Sequence, residues 1–179
     1  MREVGCKPKY LKVLAFALAL PLLGCAETEA DAVDDIGIRP RVEQSRDIRA
    51  DAQLAQTHKL PILLAFTTDY CDYCEQLEED FLQPMLISGQ YQDKILIRKV
   101  VVDASYRFTD FDGNATYTDQ FANRYKVRLY PTVLFLDSQG NELAERMVGI
   151  NTPEFYGGYL DQNIDTALNR VRGHNQLNP

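Results

Sequence analysis

The sequence of 179 residues contains no tryptophan, only two histidines and only four cysteines. The histidines, His58 and His174, each fall near a predicted helix end, and no pair of them supports a metal site or a serine-type catalytic triad. The formal net charge is −7 and no basic stripe offsets it, which argues against a nucleic-acid partner. Internal repeats and low-complexity tracts are also missing, and the length allows one domain plus tails.

The first 24 residues have the three parts of an export signal. A positively charged segment precedes an apolar stretch at 13–23, which is too short to span a bilayer as a helix. The stretch ends in Leu22-Leu23-Gly24-Cys25, which resembles the bacterial lipobox, where the signal is cleaved before a cysteine that then carries a lipid. This resemblance implies a lipid on Cys25 and a periplasm-facing location. In such lipoproteins an aspartate after the cysteine usually means retention in the inner membrane, so Ala26 at that position favours the outer membrane. The alternative is an ordinary signal peptide or anchor that happens to contain a cysteine.

The predicted signal determines which cysteines remain as free thiols in the mature chain. Cleavage would remove Cys6 and lipidation would use Cys25, so that only Cys71 and Cys74 would remain in an oxidising compartment. Such a pair forms either a structural disulfide or a redox-active one. A bridge across two intervening residues closes a very short loop and restrains the unfolded chain little, so the spacing favours a redox function.

The rest of the chain divides into a tether, a domain and a tail. Segment 25–44 is polar and acidic and is predicted to be a flexible tether that carries the lipid. Residues 45–172 are predicted to form the folded domain, and 173–179 a flexible tail. Helical and β patterns alternate within the domain and predict an α/β fold, with a central mixed β-sheet flanked by helices on both faces.

Single residues and short segments of the domain give further structural predictions. Ser45 is expected to cap the first helix, and Pro84 to end or kink the helix that begins after Cys71. Near-continuous β-branched residues predict a central parallel strand at 94–103. Segment 105–118 predicts a hairpin or excursion, because its glycine and acids do not have the spacing of a calcium loop. The buried side of the closing helix is expected to consist of Phe155, Tyr159, Ile164, Leu168 and Val171.

The motif Cys71-Asp72-Tyr73-Cys74 lies between a predicted buried strand at 61–67 and the start of a helix. The first sulfur would be exposed at the helix N-terminus, where the helix dipole favours a thiolate. The second would lie one turn into the helix, close enough to form a disulfide with the first.

Together with Tyr130-Pro131-Thr132 and the closing hairpin and helix, this motif resembles the thioredoxin-like superfamily over residues 45–172. The segment 110–113 is most similar to that of the SoxW-type periplasmic thioredoxin-like lipoproteins. The resemblance implies a thioredoxin fold, exchange chemistry at Cys71 and Cys74 through a redox-active disulfide, and no cofactor. It also implies a cis peptide before Pro131. The residues expected to bind substrate or support the active site are Tyr70, Asp72, Tyr73, Tyr130 and Pro131.

Two positions depart from the family pattern. Tyr70 stands where the family often has tryptophan, and Ala65 stands where many thioredoxins have a buried acid. Proton transfer at Cys74 would then use water or another acid, for which Glu75 and Asp69 are candidates by sequence proximity.

The charge around the cysteine pair indicates whether the protein reduces or oxidises its clients. Four acidic residues surround the cysteine pair, namely Asp69, Asp72, Glu75 and Glu78. Their negative charge disfavours a thiolate, which makes the couple less oxidising. We therefore expect a reductase of client protein disulfides that is itself reduced by a membrane electron donor. Alternatives are an oxidase or isomerase of the same fold, a copper-binding module and a non-catalytic assembly module.

Overall fold

The computed structural model describes residues 40–173, so the predicted signal, Cys25, most of the predicted tether and residues 174–179 lie outside it. None of the helices in the described range is long and apolar enough to cross a membrane. The elements in chain order are α1 (Ile48–His58), β1 (Ile62–Thr67), α2 (Asp72–Gln76), a π-helix (Leu77–Leu82), α3 (Gln83–Ser88), β2 (Leu96–Val101), β3 (Arg107–Thr109), β4 (Ala115–Tyr117), α4 (Thr118–Arg124), β5 (Thr132–Leu136), β6 (Met147–Val148) and α5 (Pro153–Val171).

The main sheet has the strand order β2-β1-β5-β6. Strand β1 runs parallel to β2 and antiparallel to β5, and β5 runs antiparallel to β6, so the sheet is mixed as predicted. Every residue of β1 is buried, with Leu63 and Ala65 in one core cluster and Ile62, Leu64 and Phe66 in the other. Helices α1 and α4 cover one face, while the π-helix, α3 and α5 cover the opposite face.

Strand β2 lies at the edge of the sheet, so the expectation of a central strand was wrong. Its outer side pairs with the segment 43–45, because the Ser45 N–H donates to the Lys99 carbonyl at 2.8 Å and the Lys99 N–H donates to the Glu43 carbonyl at 3.0 Å. Val42 is only 2% exposed and belongs to the core. The last residues of the segment predicted as a tether therefore pack on the domain and cover an edge that would otherwise be open.

Asp47, rather than Ser45, caps helix α1. Its Oδ1 accepts from the Ala50 N–H at 3.1 Å, whereas the Ser45 hydroxyl donates to Asp51 Oδ2 at 2.5 Å. Asp51 Oδ1 also accepts from Arg98 Nε at 2.6 Å, and both side chains of this ion pair are almost fully buried. The serine is thus part of a polar contact between α1 and β2, because a buried carboxylate needs hydrogen-bond donors in place of the water it loses.

Pro84 does not end the helix that follows the cysteines. The Gln83 N–H donates to the Glu78 carbonyl, a five-residue spacing that belongs to the π-helix. Pro84 then occupies the first turn of α3, where its missing N–H costs little. The wider π-helical turn lets the chain continue to Ser88 in helical form.

The buried side of α5 differs from the prediction in its first half. Phe155 and Tyr159 are 66% and 49% exposed, and the core side chains are instead Tyr156, Leu160, Ile164, Ala167 and Leu168. Both 155/159 and 156/160 are apolar pairs at helical spacing, so the pattern alone does not select between them. Contact with the neighbouring helix selects the second pair, since the Tyr156 ring lies 4.7 Å from that of Phe81 in the π-helix.

Segment 105–118 forms the hairpin β3–β4, as predicted. Asp110 Oδ1 accepts from the N–H groups of Asp112 and Asn114, and its Oδ2 accepts from Arg124 at 2.7 Å. Burial would raise the pKa of Asp110, but these donors together lower it below its usual value. Within residues 40–173, no group of three or more His, Cys, Asp or Glu side chains could hold a metal ion.

Candidate active site

Cys71 and Cys74 form a disulfide at the start of α2, with their sulfur atoms 2.06 Å apart. Cys71 is the N-cap residue of the helix and is partly exposed, whereas Cys74 is only 6% exposed. The Cys71 carbonyl accepts from the N–H of Cys74 at 2.9 Å. An incoming molecule can therefore reach the first sulfur, while the second faces the protein interior.

The Tyr130–Pro131 peptide is cis, as the family resemblance implied. Thr132 is in register with Phe66 on the antiparallel β1, which places Pro131 at the sheet end where β1 leads to the cysteines. The buried Pro131 offers its carbonyl to the Gly149 N–H at 2.8 Å, and the Thr132 hydroxyl donates to the Leu129 carbonyl. Tyr130, Pro131 and the cysteine pair therefore occupy the same end of the sheet.

Exposed aromatic side chains surround the disulfide. Tyr70 is fully exposed and has a φ angle of 56°, in the left-handed region. Tyr73 is 62% exposed and Asp72 is also exposed, so the two residues between the cysteines face solvent. Tyr130 is partly buried, and burial raises the pKa of its hydroxyl.

The two acids named from sequence proximity are both solvent-exposed. Asp69 Oδ2 accepts from the Tyr106 hydroxyl at 3.1 Å, and this hydrogen bond raises the pKa of Tyr106. Glu75 has no side-chain hydrogen bond among the described residues. Neither residue provides a buried carboxylate at the second cysteine.

A partly buried carboxylate, that of Glu78, lies on the helical segment that follows Cys74. Ala65 is fully buried and in register with Lys99 on β2, whose Nζ lies 2.5 Å from Glu78 Oε2. Glu78 Oε1 also accepts from the Val42 N–H at 3.3 Å. The side chains of Glu78 and Lys99 are 18% and 22% exposed.

Glu78 follows Cys74 by four residues, which is about one helical turn, and it shares the inward side of the helix with Cys74 and Leu77. From the sequence alone, Glu78 is one of the four acids around the cysteine pair and has no separate role. Its spacing from Cys74 was the available signal, but the partner Lys99 lies 21 residues away in the chain. The register of β2 beside β1 places Lys99 next to Ala65, and the packing of the π-helix on this face of the sheet brings Glu78 to it.

A family model described as a thioredoxin-like domain matches residues 48–164 of this chain. The thiol:disulfide interchange protein DsbD of Yersinia pestis is 27% identical over 123 residues, covering 68% of this chain and 18% of that protein. DsbD of Ralstonia nicotianae is 22% identical over 185 residues, covering 92% of this chain and 29% of that protein. The chain thus spans less than a third of the length of these curated relatives.

Solved structures with a similar fold include the thioredoxin of Fasciola hepatica, with a TM-score of 0.44 and 18% identity over 69% of this chain and 97% of that chain. The germline-specific thioredoxin Deadhead of Drosophila melanogaster has a TM-score of 0.46 and 20% identity, over 67% of this chain and 98% of that chain.

Proposed function

This chain belongs to the thioredoxin-like domain family, and we propose that it is a membrane-anchored thiol–disulfide oxidoreductase that reduces disulfides in client proteins. The observation that carries the proposal is the closed Cys71–Cys74 disulfide, with the first sulfur accessible and the second buried. Relatives named as thiol:disulfide interchange proteins support the same chemistry. Membership of the SoxW-type group remains a prediction.

In the proposed reaction the reduced protein transfers two electrons to its client. The Cys71 thiolate attacks one sulfur of the client disulfide, forms a mixed disulfide and releases the other client sulfur, which takes up a proton. Cys74 then loses its proton, attacks the Cys71 sulfur and releases the second client thiol. The protein is left oxidised, in the form that the structure shows, until an electron donor reduces it again.

The second step requires a proton acceptor for the buried Cys74 thiol. We propose Glu78, because it lies one helical turn from Cys74 and is the partly buried carboxylate on that side of the helix. The ion pair with Lys99 holds the carboxylate of Glu78 in place. The positive charge of Lys99 also reduces the repulsion between this carboxylate and the thiolate that forms at Cys74. Glu78 would thus perform the role that Ala65 cannot.

The proposed reducing direction predicts a strongly negative reduction potential for the Cys71–Cys74 couple. Asp69, Asp72 and Glu75 are exposed around the motif and do not stabilise a thiolate, so the reduced form gains little. We expect a value nearer to that of thioredoxin, about −270 mV, than to that of the oxidase DsbA, about −120 mV. Equilibration of the chain without its signal against dithiothreitol buffers measures it, and a value near the oxidase end would assign an oxidase or isomerase instead.

The proposed anchor predicts that Cys25→Ser releases the full-length protein from the membrane. In a Gram-negative host, the unchanged chain is expected to incorporate labelled palmitate and to sediment with outer membranes, since Ala26 follows the cysteine. The variant should incorporate no label, whereas Cys6→Ser should behave as the unchanged chain because Cys6 would be removed with the signal. Palmitate labelling that persists in Cys25→Ser would refute the anchor.

A further inference from the structure

Two aromatic side chains of α5 lie on the surface rather than in the core. Phe155 and Tyr159 are 66% and 49% exposed and lie one helical turn apart on the same side of the helix. Val148, on the edge strand β6, is 37% exposed. We call these three residues the α5 patch. Large apolar side chains grouped on a surface are typical of sites that bind other molecules.

A cleft of about 370 Å³ lies between β6 and α5 and joins members of this patch. Val148 and Tyr159 line it together with the buried Tyr156. Amide side chains complete the wall, and these are Asn151, Gln162 and Asn163. Aromatic rings beside amide groups suit a polypeptide, because such a wall can contact apolar side chains and also hydrogen-bond a peptide backbone.

The cleft is continuous with the active site. Gly149, which lines the cleft, donates its N–H to the Pro131 carbonyl at 2.8 Å, and Val148 is in register with Thr132. Helix α5 packs on β5 across one layer spacing of about 10 Å, and Gly149 lies one strand spacing of about 4.8 Å to the side of Pro131. These two spacings are at right angles and together give about 11 Å, which an extended client chain at about 3.3 Å per residue would cover in three or four residues.

The charge of the cleft differs from that of the motif. Acidic side chains surround the cysteines, whereas the charged residues that line the cleft are Glu145 and Arg146. Arg146 is paired with Glu142, whereas the exposed Glu145 forms no ion pair among the described residues. The cleft therefore disfavours an acidic segment and fits one with apolar side chains.

We propose that the α5 patch and its cleft bind the extended segment that flanks the reactive cysteine of a client protein, with an aromatic or aliphatic side chain three or four residues from that cysteine. This inference rests on the proposed reductase function and adds the class of client that the site selects. Small disulfides have no such segment and do not contact the patch.

The test compares the variant Phe155→Ala/Tyr159→Ala with the unchanged protein on two substrates. One substrate is a synthetic peptide disulfide with phenylalanine four residues from its cysteine, and the other is 5,5′-dithiobis(2-nitrobenzoate). We expect the KM for the peptide to rise about tenfold, with kcat and the rate on the small disulfide unchanged within about twofold. The matched control is Leu54→Ala/Ile87→Ala, which removes side chains that are 44% and 60% exposed on α1 and α3.

Each outcome decides the proposal. An unchanged peptide KM in the α5 variant, or an equal rise in the control variant, would overturn the subsite. A dimer of the unchanged protein that the α5 substitutions abolish, seen by sedimentation with no change in KM, would assign the patch to self-association instead. If the unchanged protein reduces neither substrate, the proposed reductase function fails, and the client subsite fails with it.

Discussion

Replacing Cys71 with serine is expected to abolish disulfide reduction, with a fall in rate of more than about a thousandfold on any disulfide substrate. The physical reason is that a hydroxyl is not ionised near neutral pH and cannot replace the thiolate that attacks the client sulfur. Cys71 is the partly exposed member of the pair, so no other sulfur among the described residues can take over the first attack. An insulin-reduction assay measures the loss, and a Cys71→Ser variant that still reduces insulin would refute the assignment.

The partner substitution Cys74→Ala should have a different result. The first attack would proceed, but the mixed disulfide between Cys71 and the client would persist because the resolving sulfur is absent. Non-reducing electrophoresis after expression in a periplasm should show the adduct, and mass spectrometry would identify the client. The control Cys71→Ser/Cys74→Ala should trap nothing. Equal trapping by both variants would contradict the assigned order of attack.

Replacing Glu78 with glutamine is expected to slow the second step of the reaction by about tenfold to a hundredfold near pH 7. Glutamine keeps the size of the side chain and can still accept a hydrogen bond from Lys99, but it cannot accept the proton of Cys74. The loss should shrink above about pH 8.5, where a free thiol ionises without help. Single-turnover release of a fluorescent thiol from the mixed disulfide, followed across this pH range, measures the effect.

The exposed neighbour Glu79 supplies the control for this prediction. Glu79 lies on the same π-helix and carries the same charge, so Glu79→Gln tests whether any nearby carboxylate has the effect. We expect its rate to match the unchanged protein at every pH. Equal slowing in both variants would assign the effect to net charge, and no slowing in Glu78→Gln would leave water as the acceptor.

Local patterns in the sequence were sufficient to place most of the elements. Short-range chemistry determines the apolar run before Cys71 and the β-branched run at 94–103, and each gave a strand close to its predicted place. The cysteine spacing and the Tyr130-Pro131-Thr132 segment likewise indicated the site, because few other uses explain both together. Cys71 as the accessible sulfur also followed from its place at a helix start.

The residues that the sequence misjudged all depend on contacts between distant segments. Periodicity showed that α5 had an apolar side, but the ring of Phe81 decided that Tyr156 rather than Phe155 would be buried. Ser45 has the chemistry of a cap, yet the buried carboxylate of Asp51 takes its hydroxyl. Pro84 would interrupt a regular α-helix, and the π-helix before it removes that conflict.

The sequence by itself indicated the redox chemistry, since two thiols at this spacing before a helix, together with Tyr130-Pro131-Thr132, resemble the thioredoxin-like superfamily. Tertiary structure decided how the proton is handled and which surface a client can use. Ala65 marked a missing acid, but the parallel register of β1 and β2 was needed to bring Lys99 to Glu78. The choice of the buried side of α5 likewise left Phe155 and Tyr159 exposed, and Tyr159 lines the cleft. A pattern along the chain shows which faces are apolar, whereas packing decides which of them meet another segment and which remain open to a partner.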